Sequence, residues 1–402
     1  MPDRGTAALD ARCSWKMGQI KGNRRGGIAM NHQTMGSRVI SASLAAALTA
    51  SVLTGCGFHT DTAAAAKTTA SDSHTLNLLM WDGDCSEDVV KDFEKKYGVD
   101  VNITYIEDTN EILSKMINSK TDYDLIDLES GYVKSFIDAG LLTKLDTSKI
   151  PNLSNIDQDT FMAKGTGPEG DEDFSYTIPI SGPLFTCIVY NKKTCPIEIK
   201  SFQDLADPAL KGQICSVNAT ISLYAGALKT LGYSTVSTDD GELEDAQALL
   251  KKIKDNISSF VGSSALSQLE AGDCSVAYCW DYNYLCADSE DNWDTFDIVD
   301  SSALGYTQNW AIAKTSGRKE LAEEFINFTY EPEETVKTLK EYGGVPILKK
   351  DLIAQDLPDD YYNNPCVTRY TELWQDTSNH APAVSDTQIG KMDDLYTQLM
   401  SS

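Results

Sequence analysis

Histidine is scarce in this chain, with four among 402 residues. The HExxH, Cys-x2-Cys and P-loop patterns are missing altogether. These gaps exclude the zinc-protease helix, the zinc knuckle and the P-loop nucleotide cradle. A histidine-based nucleophile–base pair has few candidates to draw on. Positive charge is also in short supply: 34 Lys+Arg stand against 60 Asp+Glu, a formal net charge of -26. That balance speaks against a nucleic-acid phosphate partner and mildly favours cationic ones. After residue 56 no apolar run is long enough to span a bilayer. Hydrophobic residues still make up 41%, enough for a folded core.

The amino-terminal segment is of a different kind. Residues 39–53 read VISASLAAALTASVL after Arg38, a positive flank and a short apolar stretch. They run into Leu53-Thr54-Gly55-Cys56, the pattern of a bacterial lipobox. Residues 1–56 therefore read as a signal region, with Cys56 the expected lipidated residue and new amino terminus. Met30 or Met35 is a better start than Met1, so residues 1–29 read as an over-long gene start. Cleavage removes seven basic and two acidic residues, which moves the net charge from -26 to -31. Residues 57–74 are small and polar and read as a flexible tether. The expected location is the extracytoplasmic face of a bacterial cell membrane, held there by lipid.

Outside the membrane, cysteines can pair. Eight remain after Cys13 and Cys56 are set aside: Cys85, Cys187, Cys195, Cys215, Cys274, Cys279, Cys286 and Cys366. Disulfides among some of them and buried free thiols are both open, and connectivity cannot be read from spacing. No histidine lies near the run CSVAYCWDYNYLC (274–286), which leaves a metal site with little support.

From Thr75 the pattern alternates strand and helix. LNLLMW (76–81) is a short apolar strand. SEDVVKDFEKKYG (86–98) has Val89, Val90, Phe93 and Tyr97 at helical spacing, with Ser86 as cap. VDVNITYI (99–106) and YDLIDLE (123–129) are further strands around a second helix. This β-α-β-α-β order predicts an open, largely parallel sheet. A second β/α unit opens at SFQDLADPALKGQICSV, and helices predominate after Lys319. Ligands of such sheets sit beyond the carboxyl ends of the strands. That position makes Trp81, Asp82, Asp84 and Glu129 candidates. Trp280, Asp281 and Tyr282 follow the strand Cys274–Tyr278, although Asp281 can equally cap a helix over 282–287.

The lipobox, the tether and two α/β lobes resemble the spermidine/putrescine-binding lipoproteins of bacterial ABC importers. The resemblance spans roughly residues 75–350. It is carried by YDLIDLESGYVKSFIDAGLLTKLDTSKIPNLSNID (123–157), YTIPISGPLFTCIVYN (176–191), SFQDLADPALKGQI (201–214), LEAGDCSVAYCW (269–280) and WAIAK (310–314). It implies a two-lobed periplasmic-binding-protein-like fold of type II, α/β, with mostly parallel sheets flanked by helices. Lobe 1 would be residues 75–188 and lobe 2 residues 189–304, with 305–402 returning to lobe 1 and adding carboxyl-terminal helices. Crossing segments are expected near Ile188–Asn191 and Ser301–Gln308. The implied function is non-enzymatic. A monomeric receptor captures a small cationic solute and presents it to a membrane permease and its ATPase, with no cofactor.

The resemblance places aromatic rings Trp81, Tyr132, Trp280 and Tyr306 against a polyamine chain. Two of the family's expected anchors differ here. Its aspartate-rich segment after KGQI is replaced by CSVNATISL (215–223), and its Trp-x-Asp by Tyr306-Thr307-Gln308. Asn218 and Gln308 accept hydrogen bonds but carry no charge. Asp82, Asp84, Glu129 and Asp281 are the carboxylates that could stand in. The alternatives keep the fold and change the solute, to a sugar, an amino-acid derivative or a metal chelate, or make the protein a sensory or adhesive lipoprotein.

Overall fold

The computed structural model describes residues 74–106, 109–118, 122–262, 264–280, 294–358 and 360–401. The signal region with Cys56, most of the tether, and Asp281, Tyr282 and Cys286 lie outside the described residues.

Two sheets organise the folded chain. The first contains Thr75–Trp81 (β1), Asp100–Ile106 (β2), Leu125–Glu129 (β3), Leu142–Thr143 (β4), Thr177–Pro179 (β5) and Gln308–Ala313 (β12), in the order β2-β1-β3-β12-β4, with β5 also on β12. The second contains Leu184–Asn191 (β6), Ile214–Val217 (β7), Ile257–Val261 (β8), Val276–Cys279 (β9), Phe296–Ile298 (β10) and Leu304–Tyr306 (β11). Its order is β10-β6-β9-β7-β8, with β11 also on β6. Parallel pairing is confined to the βαβ parts: β1 with β2 and β3, and β7 with β8 and β9. Strands β6 and β12 pair antiparallel with all their neighbours, so both sheets are mixed.

The local chemistry explains the elements. In the helix Glu87–Tyr97, the Ser86 side chain accepts from the Asp88 N–H. Gly98 ends it in the left-handed conformation with φ 67°, and Val89, Val90 and Phe93 form its buried stripe. The helix Asp240–Lys254 starts on Asp239, whose carboxylate accepts from the backbone N–H of Gly241 and Glu242. β3 is buried on both faces up to Glu129, which suits a strand covered by helices on either side.

Strand β6 belongs wholly to the second sheet. The chain therefore leaves the first sheet at residues 180–183, ahead of the 188–191 expected from sequence. It returns through Thr307, between β11 and β12. The turn signals Ser181, Gly182 and Pro183 mark the actual crossing. A Cβ on Gly182 would sit 2.6 Å from the Val345 carbonyl oxygen, so this crossing is pressed against residue 345. The last helix, Asp386–Ser401, packs on the helices Thr220–Leu231 and Asp240–Lys254 of the second sheet. Gln247 Nε2 donates to the Leu395 carbonyl at 2.9 Å and Lys254 Nζ to the Leu399 carbonyl at 2.7 Å.

Cys85, Cys195, Cys215 and Cys274 are free thiols. Cys366 is disulfide-bonded. Cys187 and Cys279 face each other across β6 and β9. Burial pushes up the Cys274 thiol, and its hydrogen bond with Cys215 adds to the shift. Among the described residues no group of three or more His, Cys, Asp or Glu is arranged to hold a metal ion.

Candidate functional site

The carboxyl ends of the parallel strands in both sheets lie toward the two crossings. In the first sheet β1 ends at Trp81 and β3 at Glu129, and Gln308, the first residue of β12, stands opposite Glu129. In the second sheet Asn218 and Trp280 follow β7 and β9 directly, and Tyr306 pairs with Leu184 at the start of β6. Topology thus gathers most of the expected residues along two facing edges.

Their environments differ. Trp81 is half-buried against the cluster that includes Leu79, Ile126 and Leu128, with its indole N–H enclosed and without a hydrogen-bond partner. Tyr132 packs into the same cluster, half-buried. Gln308 is buried and its Oε1 has no donor. Tyr306 is buried, Glu129 half-buried, and Asp82 exposed. Asn218 is exposed, and its carboxamide oxygen accepts from the Tyr396 hydroxyl of the last helix. Trp280 is half-buried against the larger core cluster. Asp281 and Tyr282 are not among the described residues, so their expected roles stand as expectations.

Asp84 has a neighbour that sequence reasoning missed. Gly83, at φ 105°, turns the chain after β1 and Asp84 follows, half-buried. Its carboxyl group meets that of Asp127, which is fully buried in β3. Asp127 Oδ2 accepts from the Trp81 N–H at 3.2 Å, while its Oδ1 has no donor. Burial pushes Asp84 up to about 6; its hydrogen bond to Asp127 opposes the shift and the nearby Asp82 adds to it. Burial raises Asp127 well above the usual carboxylate range, and the charge of Asp84 raises it further. The signal was present in YDLIDLE: an aspartate inside an otherwise apolar buried strand.

Two cavities open beside these edges. One, of about 70 Å³, is lined by Asp84, Cys85, Ser181, Trp310, Thr338 and Tyr342 among others. Trp310 is fully buried and its indole N–H has no partner. The other, of about 330 Å³, lies by Ser130 and Thr307 and carries Glu169, Glu172, Phe174 and Trp374. None of these four was anticipated. Phe174 sits at φ 53°, a left-handed conformation costly for an aromatic residue. Asp171 fixes that loop, accepting from the N–H groups of Ser175, Tyr176 and Thr177 and from the Thr177 hydroxyl. Trp374 stacks on His380 with ring centroids 3.7 Å apart. Neither cavity has a Lys or Arg in its lining.

This architecture is that of a solute-binding protein, and comparison with known proteins agrees. The profile of the bacterial extracellular solute-binding protein family matches residues 88–365, and the chain belongs to that family. It is 26% identical to the spermidine/putrescine-binding periplasmic protein of Escherichia coli K12, over 80% of this chain and 92% of that protein. It is 28% identical to the putrescine/cadaverine-binding protein of Pseudomonas aeruginosa, over 74% of this chain and 88% of the relative. Among solved structures, a putative spermidine/putrescine ABC transporter protein from Listeria monocytogenes superposes with TM-score 0.69 at 21% identity, covering 81% of this chain and 99% of that one. The Tp0655 lipoprotein of Treponema pallidum gives TM-score 0.68 at 21% identity, covering 81% and 99%. The two-sheet α/β fold is the one expected from sequence, and family membership supports an extracytoplasmic solute-binding role.

Proposed function

We propose that this protein is a lipid-anchored receptor that captures a polyamine, or a similar small organic cation, and delivers it to the permease and ATPase of an ABC importer. One observation carries the reading: both cavities at the strand edges are lined by carboxylates and aromatic rings, with no lysine or arginine in either lining. A desolvated ammonium needs an anion or acceptors around it, and its methylene chain gains from stacked rings. Trp81, Tyr132, Trp280 and Tyr306 are the proposed ring set, with Asp281 and Tyr282 beside Trp280. Glu129, Asp84 and Asp82 are the proposed carboxylates, and Gln308 and Asn218 supply neutral acceptors. Cys56 is the proposed anchor. Similarity to relatives named for spermidine, putrescine and cadaverine supports the solute class.

A second reading keeps the receptor and changes the solute. It is favoured by Gln308, whose buried carboxamide oxygen stands where the family resemblance leads one to expect a carboxylate. A sugar or an amino-acid derivative would suit such an amide. A thermal-shift panel separates the two readings. Under the first, putrescine, cadaverine or spermidine at 100 times its Kd raises stability by about 2.7 kcal/mol, while sugars and amino acids leave it unchanged. A shift with a sugar and none with any polyamine selects the second.

A further inference from the structure

The Asp84–Asp127 contact has an arrangement that a structural ion pair does not. Two carboxyl groups meet, one fully buried, and no cationic side chain is among the described groups that shift either. The described titratable groups near the pair and its neighbour Cys85 are acidic or neutral, apart from a lysine that is already paired. Asp82 and Cys85 come from the loop after β1, and Glu129 from β3. Glu334, Glu341 and Tyr342 come from the helix Pro332–Tyr342. Lys337 on that helix is taken up by Asp92 and Glu334, at 2.6 and 2.9 Å. Asp127 Oδ1 is buried and has no donor. Asp84 lines the cavity of about 70 Å³, room for an ammonium group or a few waters.

Two carboxyls in contact in a buried place cannot both be ionised without a cation between them. They can share one proton, which makes them a single unit with two titration steps. An ammonium group replaces that proton well, since it donates up to three hydrogen bonds and carries the same charge.

We propose that the Asp84–Asp127 pair is the ammonium-end anchor of this receptor, holding one proton between its carboxyls in the free protein and releasing it to solvent when a primary ammonium takes its place. The proposal rests on the cation-receptor reading above and adds a site and a coupling to it. Charge balances: a singly protonated pair with net charge of minus one gains an ammonium, loses a proton and keeps the same net charge. Capture is then proton-linked. Below the upper titration of the pair, affinity rises about tenfold for each unit of rising pH and levels off above it.

The test is calorimetric titration of putrescine into the purified protein at pH 6, in two buffers of different ionisation enthalpy. The expected result is release of about one proton per putrescine in the wild type and a clearly smaller release in Asp127→Asn, where only the burial-raised Asp84 can still hold a proton. That variant keeps the side-chain shape and an acceptor for the Trp81 N–H. Asp84→Asn, on the cavity wall, is the second variant, expected to release less than the wild type as well. Putrescine binding without proton release, or with equal release in wild type and variants, overturns the anchor and leaves the receptor reading intact. If putrescine fails to bind at any pH, the polyamine reading falls. The pair is then tested alone with methylammonium, followed by tryptophan emission, since Trp81 and Trp310 flank it. A pH-dependent response reduced in Asp127→Asn sustains a proton-linked cation site. No response, or the same response in the variant, overturns it.

Discussion

Asp124 and Asp127 lie three residues apart at the same strand of the first sheet, and both are fully buried. Their surroundings are opposite. Asp124 accepts from Arg318 Nε and Nη2 at 2.8 Å each, from the Ser316 hydroxyl at 2.7 Å and from the Asn77 N–H at 2.9 Å. Every lone pair that matters there has a donor, and Arg318 is nearly as buried as its partner. Asp127 has one backbone donor and a second carboxyl group for company. The first arrangement closes the amino end of the sheet. The second sits at the carboxyl end, beside a cavity, and stays unbalanced without a proton or a cation. Burial of an acid therefore says little by itself; what separates structure from function is whether the fold supplies the counter-charge.

The comparison breaks most sharply at Asp124. Asp124→Ala leaves a buried guanidinium without its anion and should cost about 3–5 kcal/mol in urea unfolding, with the affinity of the folded fraction for solute unchanged. An equal loss of solute binding would put the two aspartates in one role. Next in size is Glu129→Gln, expected to weaken putrescine binding by about 2 kcal/mol if Glu129 meets an ammonium. No change would assign Glu129 to solvent. Trp280→Ala should cost about 1–3 kcal/mol of affinity through lost stacking and cation–π contact. A fall in stability with affinity intact would make Trp280 a core residue.

The subtlest effect is Asp127→Asn on stability. The folded protein holds the pair's proton above the unfolded carboxylate range, so the folded state binds more protons there. Wild-type stability contributed by the pair is then present at low pH and is lost as pH rises from about 4 through the raised values. The variant lacks the part of that loss that Asp127 carries. Its advantage over wild type should grow by roughly 1–2 kcal/mol between pH 5 and 8, read from urea midpoints at each pH. A difference that stays flat with pH would mean the two carboxyls do not share a proton.

Much of the frame could be read from the chain. Helix 87–97, with its Ser86 cap and Gly98 stop, follows from spacing and capping chemistry alone. So does the position of Trp280 just past a buried strand, because alternation and length mark where β9 ends. The first crossing was harder. LFTCIVYN is one continuous apolar run, and apolarity cannot tell which of two sheets a strand joins. The site was only half legible. Residues at strand ends are found by topology, but Glu169, Glu172 and Phe174 come from a long loop whose path is set by Asp171 and its four donors. Trp374 comes from the helix Pro365–Gln375, far away in sequence. Asp127 was visible as a charge in an apolar strand, yet nothing in the sequence distinguished it from Asp124.

The most direct test of the central claim is calorimetric titration of putrescine, then spermidine, into the folded protein freed of co-purified ligand and prepared under oxidising conditions. Saturable one-to-one binding at micromolar affinity or tighter is the predicted result. Absence of heat and of competition from either polyamine, in a sample shown to be folded, would contradict it.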